Sequence, residues 1–91
     1  MDVTTEMERR LRARLTPEWL EILDESDAHR GHVGHVPGVA THFRVVVRSS
    51  KLAGLGRVAR ERAVHEAVGD LIGDPIHALS IDAAPPDEHA G

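Results

Sequence analysis

The sequence predicts a small α+β domain, and three stretches carry that prediction. Thr41–Ser49 alternates, with Phe43, Val45 and Val47 on one side and His42, Arg44 and Arg48 on the other, the period of a half-buried strand. Arg57–Ile72 places Val64, Ala67, Val68, Leu71 and Ile72 on one helical stripe, with Ala59 and Ala63 beside it. Ile76–Ile81 is a short apolar run after the stop signal Gly73-Asp74-Pro75. Strand, helix and strand in that order form a βαβ unit, whose strands run parallel through a right-handed crossover.

The remaining elements follow along the chain. Thr5-x-x-Glu8 has the form of a capping box, and Met7, Leu11 and Leu15 recur behind it every fourth residue. The expected product is a short amphipathic helix whose outer face is basic, with Arg9, Arg10, Arg12 and Arg14. Thr16-Pro17 ends it. Trp19–Asp24 suits two states: Thr16 and Pro17 can open another helix, and alternation of Leu20 and Ile22 against Trp19, Glu21 and Leu23 equally suits a strand. Asp27–Ala40 is broken by Gly31, Gly34, Pro37 and Gly38 and has no period, so it reads as a long loop. Pro85-Pro86-Asp87-Glu88 is a polar tail. A single domain over residues 1–91 is expected, with an ordered core at about 5–83, a histidine-rich loop at 27–40 and a polar tail at 84–91.

Composition narrows the function. Hydrophobic residues at 41% and charged residues at 29% describe a globular chain, and no apolar run approaches membrane-spanning length, so a cytoplasmic domain is expected. A net charge of −4 counts against general nucleic-acid binding, which needs a positive field. A local basic face remains open, since Arg44, Arg48, Lys51, Arg57, Arg60 and Arg62 fall close together. Solvated surface positions are the simpler reading of the six. No nucleophile constellation, phosphate-binding glycine loop or pocketed carboxylate pair stands out, so an enzyme is not expected.

The chemistry resides in histidine: seven occur, with no cysteine. Imidazole is the commonest nitrogen ligand for transition metals. His29, His32 and His35 recur at every third position of the loop, His42 opens the first strand of the βαβ unit, and His77 opens the last. Because those strands are parallel, their starts share one end of the sheet, and the loop enters there. Topology alone thus gathers the five rings. Taken singly, each has a plainer explanation. His77 alternates in step with Leu79 and Ile81, as a partly buried ring does; His42 suits a solvated strand position; the loop rings suit a weakly metal-binding tract. His65, one turn after Glu61, is expected on the helix surface, and His89 in the tail.

In order and spacing, Asp24-Glu25-Ser26, His29, Thr41–Ser49, Gly54, Arg60, Arg62 and Ile76-His77-Ala78-Leu79 resemble the BolA family over about Leu15–Glu88. The resemblance implies an α-β-β-α-β fold similar to a class II KH domain, with a three-stranded mixed sheet and helices on one face. It therefore makes Trp19–Asp24 a strand. It also implies a partner of a monothiol glutaredoxin rather than an enzyme. The pair would share a [2Fe–2S] cluster with glutathione, in iron–sulfur trafficking or iron regulation, the thiolates coming from the partner side. The implied ligands are His77 and, through the Glu25-Ser26-x-x-His29 pattern, His29, with His32 and His35 as alternates. Imidazole ligation of this kind raises the potential of a cluster, and each ring must be neutral to bind. The chain departs from the family pattern at Leu52, where phenylalanine is usual, and at Glu61, where histidine is usual. Losing that potential cation weakens the other reading, a KH-like nucleic-acid-binding transcriptional regulator. Alone, the protein is expected to be a monomer or weak homodimer, with another transition metal, zinc or nickel, as the ligand the loop histidines would buffer.

Overall fold

A computed structural model describes residues 2–25, 42–73 and 75–87. Helix α1 (Val3–Leu15) leads into strand β1 (Trp19–Asp24), and β2 (His42–Arg48) follows. A 3-10 turn (Ser50–Leu52), helix α2 (Arg57–Val68), a second 3-10 turn (Gly69–Leu71) and β3 (Ala78–Ala84) complete the chain. The sheet order is β1-β2-β3. β1 pairs antiparallel with β2 from Trp19↔Arg48 to Asp24↔Phe43, and β2 pairs parallel with β3 from His42↔Ala78 to Arg48↔Ala84. The expected α+β order and mixed sheet are both present, and Trp19–Asp24 is a strand.

One core holds these pieces together. Phe43, Val45 and Val47 are at most 1% exposed and meet Met7, Leu11 and Leu15 of α1 and Val64, Ala67 and Val68 of α2. Leu20, Ile22, Leu79, Ile81 and Ala83 extend the same sheet face, so both helices cover one side of the sheet. Each fully buried aliphatic side chain stabilises the fold by about 1.5–3 kcal/mol. The stripe of α2 is shorter than its period suggests. Leu71 is buried in the 3-10 turn, but Ile72 is 38% exposed, because Gly69, at φ +55° and ψ −123°, ends the helix and rotates the chain.

Three local expectations are corrected. The cap of α1 is Asp2, whose carboxylate accepts from the Thr4 and Thr5 amides, so the helix starts two residues ahead of Thr5. Glu8 instead takes the Arg12 guanidinium at 2.9 Å. Arg10 leaves the basic outer face: its side chain is only 25% exposed and crosses to α2. The last strand begins at Ala78, one residue after His77, and runs on to Ala84.

The end of the sheet where β3 finishes is closed by side chains. Ser49, fully buried, donates its hydroxyl to the Leu15 carbonyl at 2.6 Å and so satisfies the end of α1. Glu18 accepts from both the amide and the hydroxyl of Ser50. The opposite end carries His42 and His77.

Candidate functional site

The parallel register builds the site. His42 opens β2 and pairs with Ala78, so His77, one residue earlier, stands at the same sheet end. Its approach is fixed on both sides. The Ile76 amide donates to the Leu71 carbonyl at 3.0 Å, the Gly73 amide donates to the Ile76 carbonyl at 2.7 Å, and Ile72 and Ile76 form a parallel bridge. Ile76 is 1% exposed and anchors the turn in the core, whereas His77 is exposed. The partly buried ring suggested by alternation with Leu79 and Ile81 is not what the fold produces. β3 starts after His77, so the strand's alternation does not govern it.

His42 is half-buried, and its carbonyl accepts the Glu25 amide at 2.8 Å, which brings the end of β1 to the start of β2. Glu25 in turn takes Arg44 Nε at 3.3 Å. The expected loop ligands His29, His32 and His35 lie outside the described residues, as does His89. His65 is exposed on α2. Among the described residues, no group of three or more His, Cys, Asp or Glu side chains could hold a metal ion. The donor at this end that suits a transition metal or cluster is the exposed His77 imidazole, and the sequence contains no cysteine.

The basic residues do not form one surface. Arg48 corrects the expectation of a solvated position, since its side chain is only 8% exposed and its Nη1 lies 3.1 Å from Asp82 Oδ1. The same nitrogen donates to the Val47 and Asp82 carbonyls. Arg57 pairs with Glu61 at 3.0 Å, and Arg44 with Glu25. Arg60 donates to the Leu55 and Ala83 carbonyls. Lys51 reaches the Arg14 carbonyl at 3.5 Å, and Arg62 is exposed without an ion pair among the described residues. Arg44 and Arg48 also sit four residues apart on one strand, about 13 Å. Arg44, Arg48 and Arg57 are therefore each paired with a carboxylate within the fold.

Sequence reasoning missed a second feature near the site. Arg10 Nε meets Glu6 at 2.7 Å, while its Nη1 donates to the Val68 carbonyl and to Asp70, both at 2.8 Å. Hydrogen bonds from Arg9 and Arg10 hold the Glu6 carboxyl down at about 2, and Arg10 lowers that of Asp70. The i, i+4 spacing of Glu6 and Arg10 was a visible signal; the reach to Val68 and Asp70 was not.

Comparison with known proteins agrees with this architecture. A family model described as BolA-like protein matches residues 11–88. The chain is similar to BolA-like protein 1 of Homo sapiens, 44% identical over 77 residues, which are 85% of this chain and 53% of that protein. It thus spans about half the length of that relative. It is also 41% identical over 76 residues to the DNA-binding transcriptional regulator BolA of Vibrio cholerae, covering 82% of this chain and 67% of that protein. The solved BolA domain of SufE1 from Arabidopsis thaliana superposes with a TM-score of 0.82 at 28% identity, covering 94% of each chain. No helix among the described residues is long and apolar enough to cross a membrane.

Proposed function

The chain belongs to the BolA family, and on that premise we propose that it is a non-enzymatic partner of a monothiol glutaredoxin. In this reading it contributes imidazole to a [2Fe–2S] cluster shared with glutaredoxin and glutathione, in cytoplasmic iron–sulfur trafficking or iron regulation. The observation that supports it most is the exposed His77, held at the sheet end by the buried Ile76 and by the His42↔Ala78 register. His77 is the first ligand, and His29 the second, with His32 and His35 as alternates. The cluster supplies one-electron chemistry, and nitrogen ligation sets its potential above that of an all-thiolate centre.

What the chain itself does is positional. The bonds of Leu71 and Gly73 to Ile76 tie down the residue immediately before His77, which reduces the ordering left to occur on docking. Ile72, 38% exposed and bridged to Ile76, gives the partner an apolar contact beside the ring. Co-expression with a monothiol glutaredoxin is expected to give a coloured heterodimer whose visible spectrum differs from that of the glutaredoxin alone. His77→Ala is expected to abolish that difference; an unchanged spectrum refutes the ligand role.

The name of the Vibrio relative favours a second reading, direct DNA binding. Its test is salt dependence: phosphate neutralisation gives a slope of about −0.9 in log K against log salt per contact on duplex DNA. With Arg44, Arg48 and Arg57 already paired, a shallow slope or no binding is expected.

A further inference from the structure

Arg10 is the residue through which α1 reaches the approach to His77. Its Nη1 donates at 2.8 Å to the Val68 carbonyl, one of the acceptors the end of α2 leaves without an intrahelical partner, and at 2.8 Å to Asp70 in the 3-10 turn. Glu6, one turn back on α1, takes Nε at 2.7 Å and fixes the guanidinium plane. The clamped turn continues directly into the turn that carries His77. Leu71 closes the 3-10 segment and accepts from the Ile76 amide, and the Gly73 amide returns to the Ile76 carbonyl. A cation at a helix C-terminus also interacts favourably with the helix dipole. Arg9 offers an internal contrast, because it pairs with the same Glu6 but remains on the outer side of α1, 67% exposed.

We propose that Arg10 is a positioning residue for His77: by tying α1 to Val68 and Asp70 it holds the Gly69–Leu71 turn, and through the Leu71 carbonyl the Ile76 backbone, in the conformation that presents the ring. This rests on the reading of His77 as a ligand. The clamp explains why a charged side chain of α1 is drawn into the helix interface rather than left in solvent. It also makes α1, which contributes no ligand, a determinant of the site.

The test combines two readouts on the full chain. In the free protein, Arg10→Met is expected to speed amide hydrogen exchange at Gly73 and Ile76 by roughly tenfold or more, the factor expected for losing a charge-assisted hydrogen bond. Arg9→Met should leave both amides as in wild type. In the complex with a monothiol glutaredoxin, Arg10→Met should alter the visible circular dichroism of the cluster, and Arg10→Lys should restore part of the wild-type signal. Leu52→Ala, a core truncation remote from the turn, controls for lowered global stability and should leave the cluster signal unchanged. Should Arg10→Met fold poorly, Asp70→Asn removes one arm of the clamp and should give a smaller change of the same kind. Unchanged exchange at Gly73 and Ile76 overturns the proposal, as does faster exchange with an unaltered cluster signal. If His77→Ala itself leaves the signal intact, the ligand reading fails. If His77→Ala abolishes the signal while Arg10→Met matches wild type in both readouts, only the clamp fails.

Discussion

Replacing Arg48 by methionine separates a structural cation from a binding cation. The substitution keeps an unbranched side chain of similar reach but removes the guanidinium, whose Nη1 serves Asp82 Oδ1 at 3.1 Å, the Val47 carbonyl at 3.0 Å and the Asp82 carbonyl at 3.2 Å. Removing one member of a fully buried ion pair costs about 3–5 kcal/mol. Here the Asp82 side chain is 38% exposed and can take up water once Arg48 is gone, so a discount applies. The expected loss is about 2–3 kcal/mol, against a total stability of about 5–15 kcal/mol for a domain. At about 4–8 °C per kcal/mol, the melting temperature should fall by roughly 10–20 °C. Thermal and urea unfolding measure the loss, and titration of the folded variant with glutaredoxin or duplex DNA measures binding. A variant that melts within a degree or two of wild type yet loses affinity would refute the structural assignment and restore Arg48 to a binding surface.

Further outcomes follow from the same geometry. The Glu6 carboxyl is held down by Arg9 and then Arg10, at about 2 against the usual 4.5. Its contribution is therefore complete above about 4.5 and disappears as pH falls toward 2, so the urea midpoint should drop across that window and drop less in Glu6→Gln. Gly69→Ala should destabilise by about 1–3 kcal/mol, because φ +55° with ψ −123° is strained for any side chain, although the added methyl group meets only ordinary contact with Arg10. Gly56→Ala, at φ −75° with open space around it, meets no clash but replaces the N-cap of α2 by a poorer capping residue, and should destabilise by about 0.5–1 kcal/mol in the same melts. His65→Ala should change stability by less than about 0.5 kcal/mol and leave the heterodimer spectrum intact, as expected of an exposed helix position.

The parts of the fold set by periodicity were legible. Phe43, Val45 and Val47 alternate and are buried, and the parallel pairing of β2 with β3 follows from one intervening helix, which already places His42 and His77 together. Trp19–Asp24 resisted pattern reading for a physical reason. As an edge strand it leaves Trp19 and Leu23 exposed while Leu20 and Ile22 turn inward, so apolar residues occupy both faces and blur the alternation. The family resemblance, not the pattern, made it a strand. Arg48 obeyed the alternation yet became buried, because Asp82 on the neighbouring strand supplies a counter-charge that only the β2–β3 register reveals. Asp2 was overlooked as the cap because Thr5 and Glu8 carry the spacing of a capping box. The helix instead begins at Val3, three residues before the Glu6 that a Thr5 cap would make its first residue. The exposure of His77 depends on β3 beginning at Ala78, two residues after the start of the apolar run at Ile76, which no local signal encodes. The assignment of His29, His32 and His35 lies outside the described residues and stands as a proposal.

Nitrogen ligation by His77 can be measured directly. Pulsed electron paramagnetic resonance on the reduced cluster of the complex co-purified with a monothiol glutaredoxin reads it directly. Imidazole nitrogen couplings are expected in the wild-type complex, with one set lost in His77→Ala. A wild-type complex with no nitrogen coupling, or a His77→Ala complex retaining all of it, would exclude His77 as a ligand.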